Sequence, residues 1–164
     1  MKILKKQSEK NNKILAVIAA KKKSTRFHKK NFKKFCGKTL LNWAILTAKK
    51  SVNVKDIIVT SDSDKILKLS KKYYSKVHLR NRPKNLSNNT ISPWEAVKDA
   101  VGFLKKQKKT YSHVALIQLT SPLRNHNHLD AAIKKMFEKK LSGIVSITET
   151  ECPKTWMTYL KPNS

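Results

Sequence analysis

The sequence predicts an α/β sandwich with parallel strands, and three observations carry that prediction. Short apolar blocks of strand length, at residues 14–20, 57–60, 114–117 and 144–147, alternate with segments whose apolar residues recur at helical spacing. Ile14-Leu15-Ala16-Val17-Ile18-Ala19-Ala20 is apolar throughout, as a strand buried on both faces requires. The length of 164 residues and a hydrophobic content of 39% suit one domain around one core. Strands alternating with helices in this way lie parallel, with helices on both faces of the sheet.

Each element follows in turn. A basic polar leader covers residues 1–13, and the apolar run 14–20 is the first strand. A basic loop occupies 21–38. Leu41, Ala44, Ile45 and Ala48 then recur with the period of a helix. Ile57-Ile58-Val59-Thr60 is a β-branched strand ending at Ser61-Asp62-Ser63-Asp64, where Asp62 or Ser63 caps a helix that turns Ile66, Leu69 and Tyr73 inward. Residues 77–79 are a short strand candidate, and the polar stretch 80–89, with Pro83, is read as loop. Ser92-Pro93-Trp94-Glu95 combines an N-cap, a proline at the first helical position and a capping-box glutamate. The helix it opens sets Trp94, Val97, Val101 and Leu104 on one stripe. A strand at 114–117, a loop at 118–124, a helical face of Leu129, Ala132, Ile133, Met136 and Phe137, and a strand at 144–147 complete the pattern.

Composition narrows the function classes. The formal charge is +27, from 37 Lys+Arg against 10 Asp+Glu. Only four of the 37 are arginines (Arg26, Arg80, Arg82, Arg124), and 33 are lysines. Phosphate and base readers favour arginine, whose planar fork meets two acceptors at once. Lysines spread over every segment read as solvated helix faces, with nonspecific attraction to nucleic acid or a membrane surface as the alternative. No apolar run approaches the ~20 residues of a membrane span, and the start lacks the apolar core of a signal peptide. Cys36 and Cys152 are too few for a disulfide framework, so a cytoplasmic location is expected.

In an open parallel sheet, ligands bind beyond the carboxyl ends of the strands where the strand order reverses. That rule singles out the loops 21–31, 61–64 and 118–124. The first gathers Lys21, Lys22, Lys23, Ser24, Thr25, Arg26, His28, Lys29 and Lys30 at a strand end, a set suited to a polyphosphate or, more plainly, a solvated lysine run. It contains neither G-x-G-x-x-G nor the P-loop G-x-x-x-x-G-K-[ST], which removes support for a dinucleotide site or a Walker ATPase.

The stretch Ile18-Ala19-Ala20-Lys21-Lys22-Lys23-Ser24-Thr25-Arg26-Phe27-His28-Lys29-Lys30-Asn31 resembles the opening signature IPARxGSKRxPxKN of the acylneuraminate cytidylyltransferases. Further segments match in the same order. Phe35, Gly37-Lys38, Leu40-Leu41 and Trp43 resemble KPxxGKPLIxW, and Ile57 to Asp62 resembles a strand end reading IVSTDD. Arg82-Pro83-Lys84-Asn85-Leu86-Ser87-Asn88-Asn89-Thr90 resembles RPxxLAxDxT, and Gln118-Leu119-Thr120-Ser121-Pro122-Leu123-Arg124 resembles QPTSPLR.

The resemblance implies a three-layer sandwich with a mainly parallel sheet, a Rossmann-like nucleotidyltransferase fold incomplete at its C-terminus. The domain spans 14–150, and 151–164 is the start of a dimerisation arm or a truncated tail. The implied reaction transfers CMP from CTP to an acidic nine-carbon sugar (a sialic, legionaminic or pseudaminic acid), with release of pyrophosphate, for cell-surface glycan or lipopolysaccharide assembly. The alternative is an inactive relative, or a lysine-rich module binding nucleotides or anionic polymers. By position, Ala20, Lys21, Ser24, Lys30, Asn31 and Ser92 match nucleotide contacts, and Gln118, Ser121 and Arg124 match the sugar pocket. Lys21, Lys30 and Gln118 stand at catalytic positions. Mg²⁺ is implied, with aspartate ligands expected beyond the chain end, as is a homodimer. Lys21 replaces an arginine, Lys22-Lys23 stand where small residues let backbone approach phosphate, Thr25 replaces a lysine, Asn89 an aspartate and Leu119 a proline.

The remaining candidates read more simply. Asp62 is a helix cap or an outer metal or water contact. His126 and His128 lie where a helix begins, with no further ligands at metal spacing. Cys36 is read as structural, Trp43 and Trp94 as core residues rather than stacking platforms, and Trp156 as a subunit-contact candidate.

Overall fold

Strand β1 (Ile14–Ala20) lies inside a parallel sheet of order β5-β4-β1-β6 in the computed structural model, which describes residues 13–22, 30–88 and 91–147. Its neighbours are β4 (Val54–Ser61) and β6 (His113–Leu116), and β5 (His78–Asn81) closes the flank beyond β4. Side chains alternate between the two faces of a strand, so β1 serves two cores. Ala16, Ile18 and Ala20 join Ile57 and Val59 on one face, while Leu15 and Val17 join Ile58 on the other.

Helices α1 (Leu40–Lys50) and α2 (Asp64–Tyr73) cover the first face with Leu41, Ala44, Ile45, Ala48, Ile66 and Leu67. Helix α3 (Pro93–Lys106) covers the second with Val97, Ala100 and Leu104. Helix α4 (His126–Glu138) packs beside α1, burying Ile133 and Met136. Three layers result, as the alternation predicts. Each fully buried aliphatic side chain contributes about 1.5–3 kcal/mol, so this shared double core dominates stability.

Polar ties fix the layers in register. Asp130 of α4 accepts from Ser51 Oγ at 2.5 Å and Asn53 Nδ2 at 2.8 Å, joining α4 to the turn before β4. Arg80 on β5 makes a two-pronged pair with Asp99 of α3, each bond 2.8 Å.

Several elements differ from the expectation. Residues 144–147 are not a strand: Val145 and Ile147 are 83% and 84% exposed, and no described strand lies alongside them. A β-branched run forms a strand only when a neighbour takes up its backbone groups. The basic loop contains a hairpin of β2 (Lys34–Phe35) and β3 (Lys38–Thr39), too short for any periodicity to announce. Its corner places Cys36 (φ 47) and Gly37 (φ 79) in the left-handed region, as tight hairpin turns require. Cys36 is exposed there, outside the core. Arg80 and Asn81, expected in a loop, extend β5. Trp94, expected in the core, is 56% exposed at the first turn of α3, whereas Val97 and Leu104 farther along the helix are buried.

Candidate functional site

From β1 the chain builds outward through β4 and β5, then crosses back to lay β6 on the other side of β1. The order therefore reverses between β1 and β6, where parallel sheets open a crevice at the carboxyl ends of the strands. Unequal strand lengths deepen it. Pairing of β1 with β4 continues to Ala20 opposite Ser61, but pairing with β6 stops at Val17 opposite Leu116. Residues 18–20 project past β6, a step of about 10 Å at ~3.3 Å per residue.

The loop leaving β1 is pinned at this step. Lys21 Nζ donates to the Asn88 carbonyl at 2.8 Å, and the Lys22 N–H donates to Asp62 Oδ1 at 2.7 Å. Asn31 Nδ2 donates to the Lys21 carbonyl at 2.8 Å from the one-turn helix Lys30–Phe32, which also carries the half-buried Lys30. Asn31 is 5% exposed, and its Oδ1 has no partner among the described residues. Of the two cap candidates, Asp62 is not the one used. Ser63 occupies the α2 cap position, and the Asp62 carboxylate instead holds the first-loop backbone.

Beneath the loop lies Arg82, which the motif reading passed over as a site residue. It is 4% exposed, and its Nη2 donates to the carbonyls of Ala20 at 3.0 Å and Thr60 at 2.9 Å. One guanidinium thus clamps the ends of β1 and β4. Burial pulls its pKa down, against the opposing pull of Asp62 and Asp99, and its Nε is unpartnered among the described residues. Two signals were available: Arg82 opens the stretch that resembles RPxxLAxDxT, and it is an arginine where nearly every other cation is lysine.

Across the step, the loop after β6 folds on its own arginine. Arg124 Nη2 donates to the Gln118 carbonyl at 3.0 Å, the Arg124 N–H to the Ser121 carbonyl at 3.3 Å, and Thr47 of α1 donates to the Arg124 carbonyl at 3.0 Å. Burial lowers the Arg124 pKa as well. The side chains of Gln118 and Ser121 are exposed. Ser92 caps α3 by accepting from the Trp94 N–H at 3.3 Å.

The structure thus brings Ala20, Lys21, Lys30 and Asn31 together on the β1 side of the step. It sets Gln118, Ser121 and Arg124 on the β6 side and reaches Ser92 through the Asn88 turn. Ser24, Cys152 and Trp156 lie outside the described residues.

Among the described residues no three His, Cys, Asp or Glu side chains converge. The Asp62 carboxylate at this end is already engaged by Lys22. The described residues at this end do not fit a Mg²⁺ cage. His126 and His128 occupy the first turn of α4, where His128 and Asn125 cap the helix reciprocally.

Lysines, a buried arginine and a buried asparagine thus gather at the carboxyl end of an open parallel α/β sheet, the end at which such domains take their ligands. A family model described as cytidylyltransferase matches residues 15–154, and the chain belongs to that family. It is 34% identical over 150 residues to a pseudaminic acid cytidylyltransferase of Campylobacter jejuni, covering 92% of this chain and 64% of that protein. It is also 31% identical to an N-acylneuraminate cytidylyltransferase of Escherichia coli, over 86% of this chain and 32% of the relative. A CMP-N,N'-diacetyllegionaminic acid synthase of Legionella pneumophila is 28% identical, over 87% and 61% respectively. The chain therefore spans less than two thirds of the length of these relatives.

Among solved structures, a CMP:2-keto-3-deoxy-manno-octonic acid synthetase complexed with CTP superposes with a TM-score of 0.62 at 16% identity, covering 79% of this chain and 49% of that one. A cytidylyltransferase from Leptospira borgpetersenii superposes at 0.58 and 18% identity, over 79% and 50%. These likenesses bear out the three-layer fold. No helix among the described residues is long and apolar enough to cross a membrane.

Proposed function

We propose that this protein transfers CMP from CTP to an acidic nonulosonic sugar, with pseudaminic acid the first substrate to try. The sugar's anomeric hydroxyl attacks the α-phosphate and pyrophosphate leaves. Such a transfer asks the protein mainly for positioning and for positive charge where phosphate oxygens gain it.

The observation that carries this reading is the cationic, pre-shaped step at the end of β1. Lys21, its ammonium held at the Asn88 carbonyl, supplies positive charge for the triphosphate, and Lys30 a second charge from the adjoining turn. Ala20, the last residue of β1, is the backbone point from which this loop departs. Asn31, with one amide end committed to the Lys21 carbonyl, fixes the loop and has an acceptor oxygen to spare. Ser24 and Ser92 complete the nucleotide side, while Gln118, Ser121 and Arg124 line the sugar side. Gln118 orients the attacking hydroxyl, and Arg124 holds the loop that presents it.

In the same reading the full enzyme uses Mg²⁺ and acts in the cytoplasm as a homodimer, and its product feeds cell-surface glycan or lipopolysaccharide assembly. The lysine excess gives nucleic acids only a nonspecific, salt-sensitive hold.

The test is calorimetric binding of CTP against ATP, with Lys21→Ala compared to Lys105→Ala on the exposed face of α3. Preference for CTP, with a loss at Lys21 at least tenfold greater than at Lys105, is expected. Equal small losses at both lysines reduce the effect to diffuse charge and remove the site.

A further inference from the structure

We propose that the indole of Trp94 is the stacking platform for the pyrimidine ring of CTP, an inference that rests on the cytidylyltransferase reading above. Trp94 is the largest apolar side chain left open on α3. It is 56% exposed, while Val97 and Leu104 farther along the same stripe are 4% and 0% exposed. Tryptophan is usually well covered, so an indole this open is a π surface available to a ligand.

Its position follows from the topology. Helix α3 returns antiparallel to the strands between parallel β5 and β6, so its first turn lies at the carboxyl end of the sheet, where the step opens. One carbonyl joins the two places. Asn88 O accepts from Lys21 Nζ at 2.8 Å and from the Ile91 N–H at 3.3 Å. Trp94 follows Ile91 by three residues, at most about 11 Å of chain at 3.8 Å per residue. The phosphate-side lysine and the indole are thus tied through one turn.

The backbone that carries the platform is fixed before any ligand arrives. Pro93 fixes the backbone at the first helical position, and Ser92 Oγ accepts from the Trp94 N–H at 3.3 Å. A nucleotide with its phosphates at Lys21 and its ribose near Ser92 lays its base toward this ring. Stacking accepts any base, so the indole supplies grip while the choice of cytosine falls to polar groups elsewhere.

Calorimetry on the full chain with two probes, CTP and inorganic tripolyphosphate, separates the platform from the seat. The wild type is expected to bind both, and CTP more tightly. Trp94→Ala is expected to weaken CTP about tenfold or more, the loss typical of one unstacked base, and to leave tripolyphosphate unchanged. Trp94→Phe, which keeps an aromatic face, restores most of the CTP affinity, and the quench of tryptophan emission that CTP produces in the wild type is diminished in that variant.

If Trp94→Ala binds CTP as the wild type does, the platform is overturned and the seat stands. A change in oligomeric state without a change in CTP affinity also overturns it, in favour of a protein contact. If the wild type takes up neither probe, the seat fails and the platform with it. Thermal melting checks that Trp94→Ala is folded. Should it not be, the Phe variant and the emission quench decide alone.

Discussion

Replacing Arg82 by methionine removes the clamp between β1 and β4 while keeping a long, flexible side chain in the space. Two carbonyls, Ala20 O and Thr60 O, lose donors that now sit 3.0 and 2.9 Å away, on a residue only 4% exposed. An orphaned buried polar group costs about 1–3 kcal/mol, so the two lost bonds together cost about 2–6 kcal/mol. Against this, the substitution relieves a desolvated guanidinium whose Nε is unpartnered among the described residues. Relief of one such group returns about 1–3 kcal/mol. Matching low with low and high with high, the net expectation is a destabilisation of about 1–3 kcal/mol, or roughly 2–12 °C in melting temperature at 2–4 °C per kcal/mol for a chain this long. Circular dichroism melts and urea unfolding measure it. Arg82→Lys should recover less than half, because an ammonium cannot reproduce the planar fork. Wild-type stability in Arg82→Met would refute the clamp.

Four further outcomes are expected. Burial pushes the Asp130 pKa up, but hydrogen bonds from Ser51, Asn53 and the backbone of Val52 and Asn53 outweigh it and hold the carboxyl below its ordinary value. A depressed folded pKa means stability present above the unfolded value of about 3.9 and lost as pH falls through the folded one. Urea midpoints between pH 5 and pH 2.5 should therefore fall more steeply in the wild type than in Asp130→Ala, and equal slopes would contradict the assignment. Ile45→Ala, at a fully buried position of α1, should cost about 2–5 kcal/mol. Ile147→Ala, at 84% exposure, should stay within about 0.5 kcal/mol; a large loss there by urea titration would mean that residues 144–147 pack after all. Ser92→Ala should cost about 1 kcal/mol through loss of the α3 cap, read as a shift in urea midpoint at unchanged slope.

The parts of the fold that were legible share one property: their signal is a repeated burial pattern. The strands at β1, β4 and β6 and the stripes of α1 and α4 announce themselves because one face or both must leave water. The hairpin of β2 and β3 has two residues per strand and no such face, and only Gly37 hinted at its turn. Residues 144–147 have the composition of a strand, but strand formation also needs a neighbour, which composition does not report. Trp94 obeyed the helical spacing and still faced solvent, because a stripe marks a direction and not how far the covering layer extends.

At the site, the loops flanking the order reversal followed from topology, and the individual residues from motif resemblance. Arg82 escaped as a site residue because its partners are main-chain carbonyls brought together only by parallel pairing of β1 and β4. Asp62 escaped for the same reason: its partner, the Lys22 N–H, lies forty positions away in sequence.

Strand β1 outruns β6, and that difference in length has a consequence for how the protein can diversify. A step made by unequal strands belongs to the frame and not to any loop. Exchanges in the surrounding loops change grip and selectivity and leave the step itself in place. Widening Ala20, by contrast, would press into the core it shares with Ile18 and Leu41 and disturb the frame itself, whatever the loops above had become.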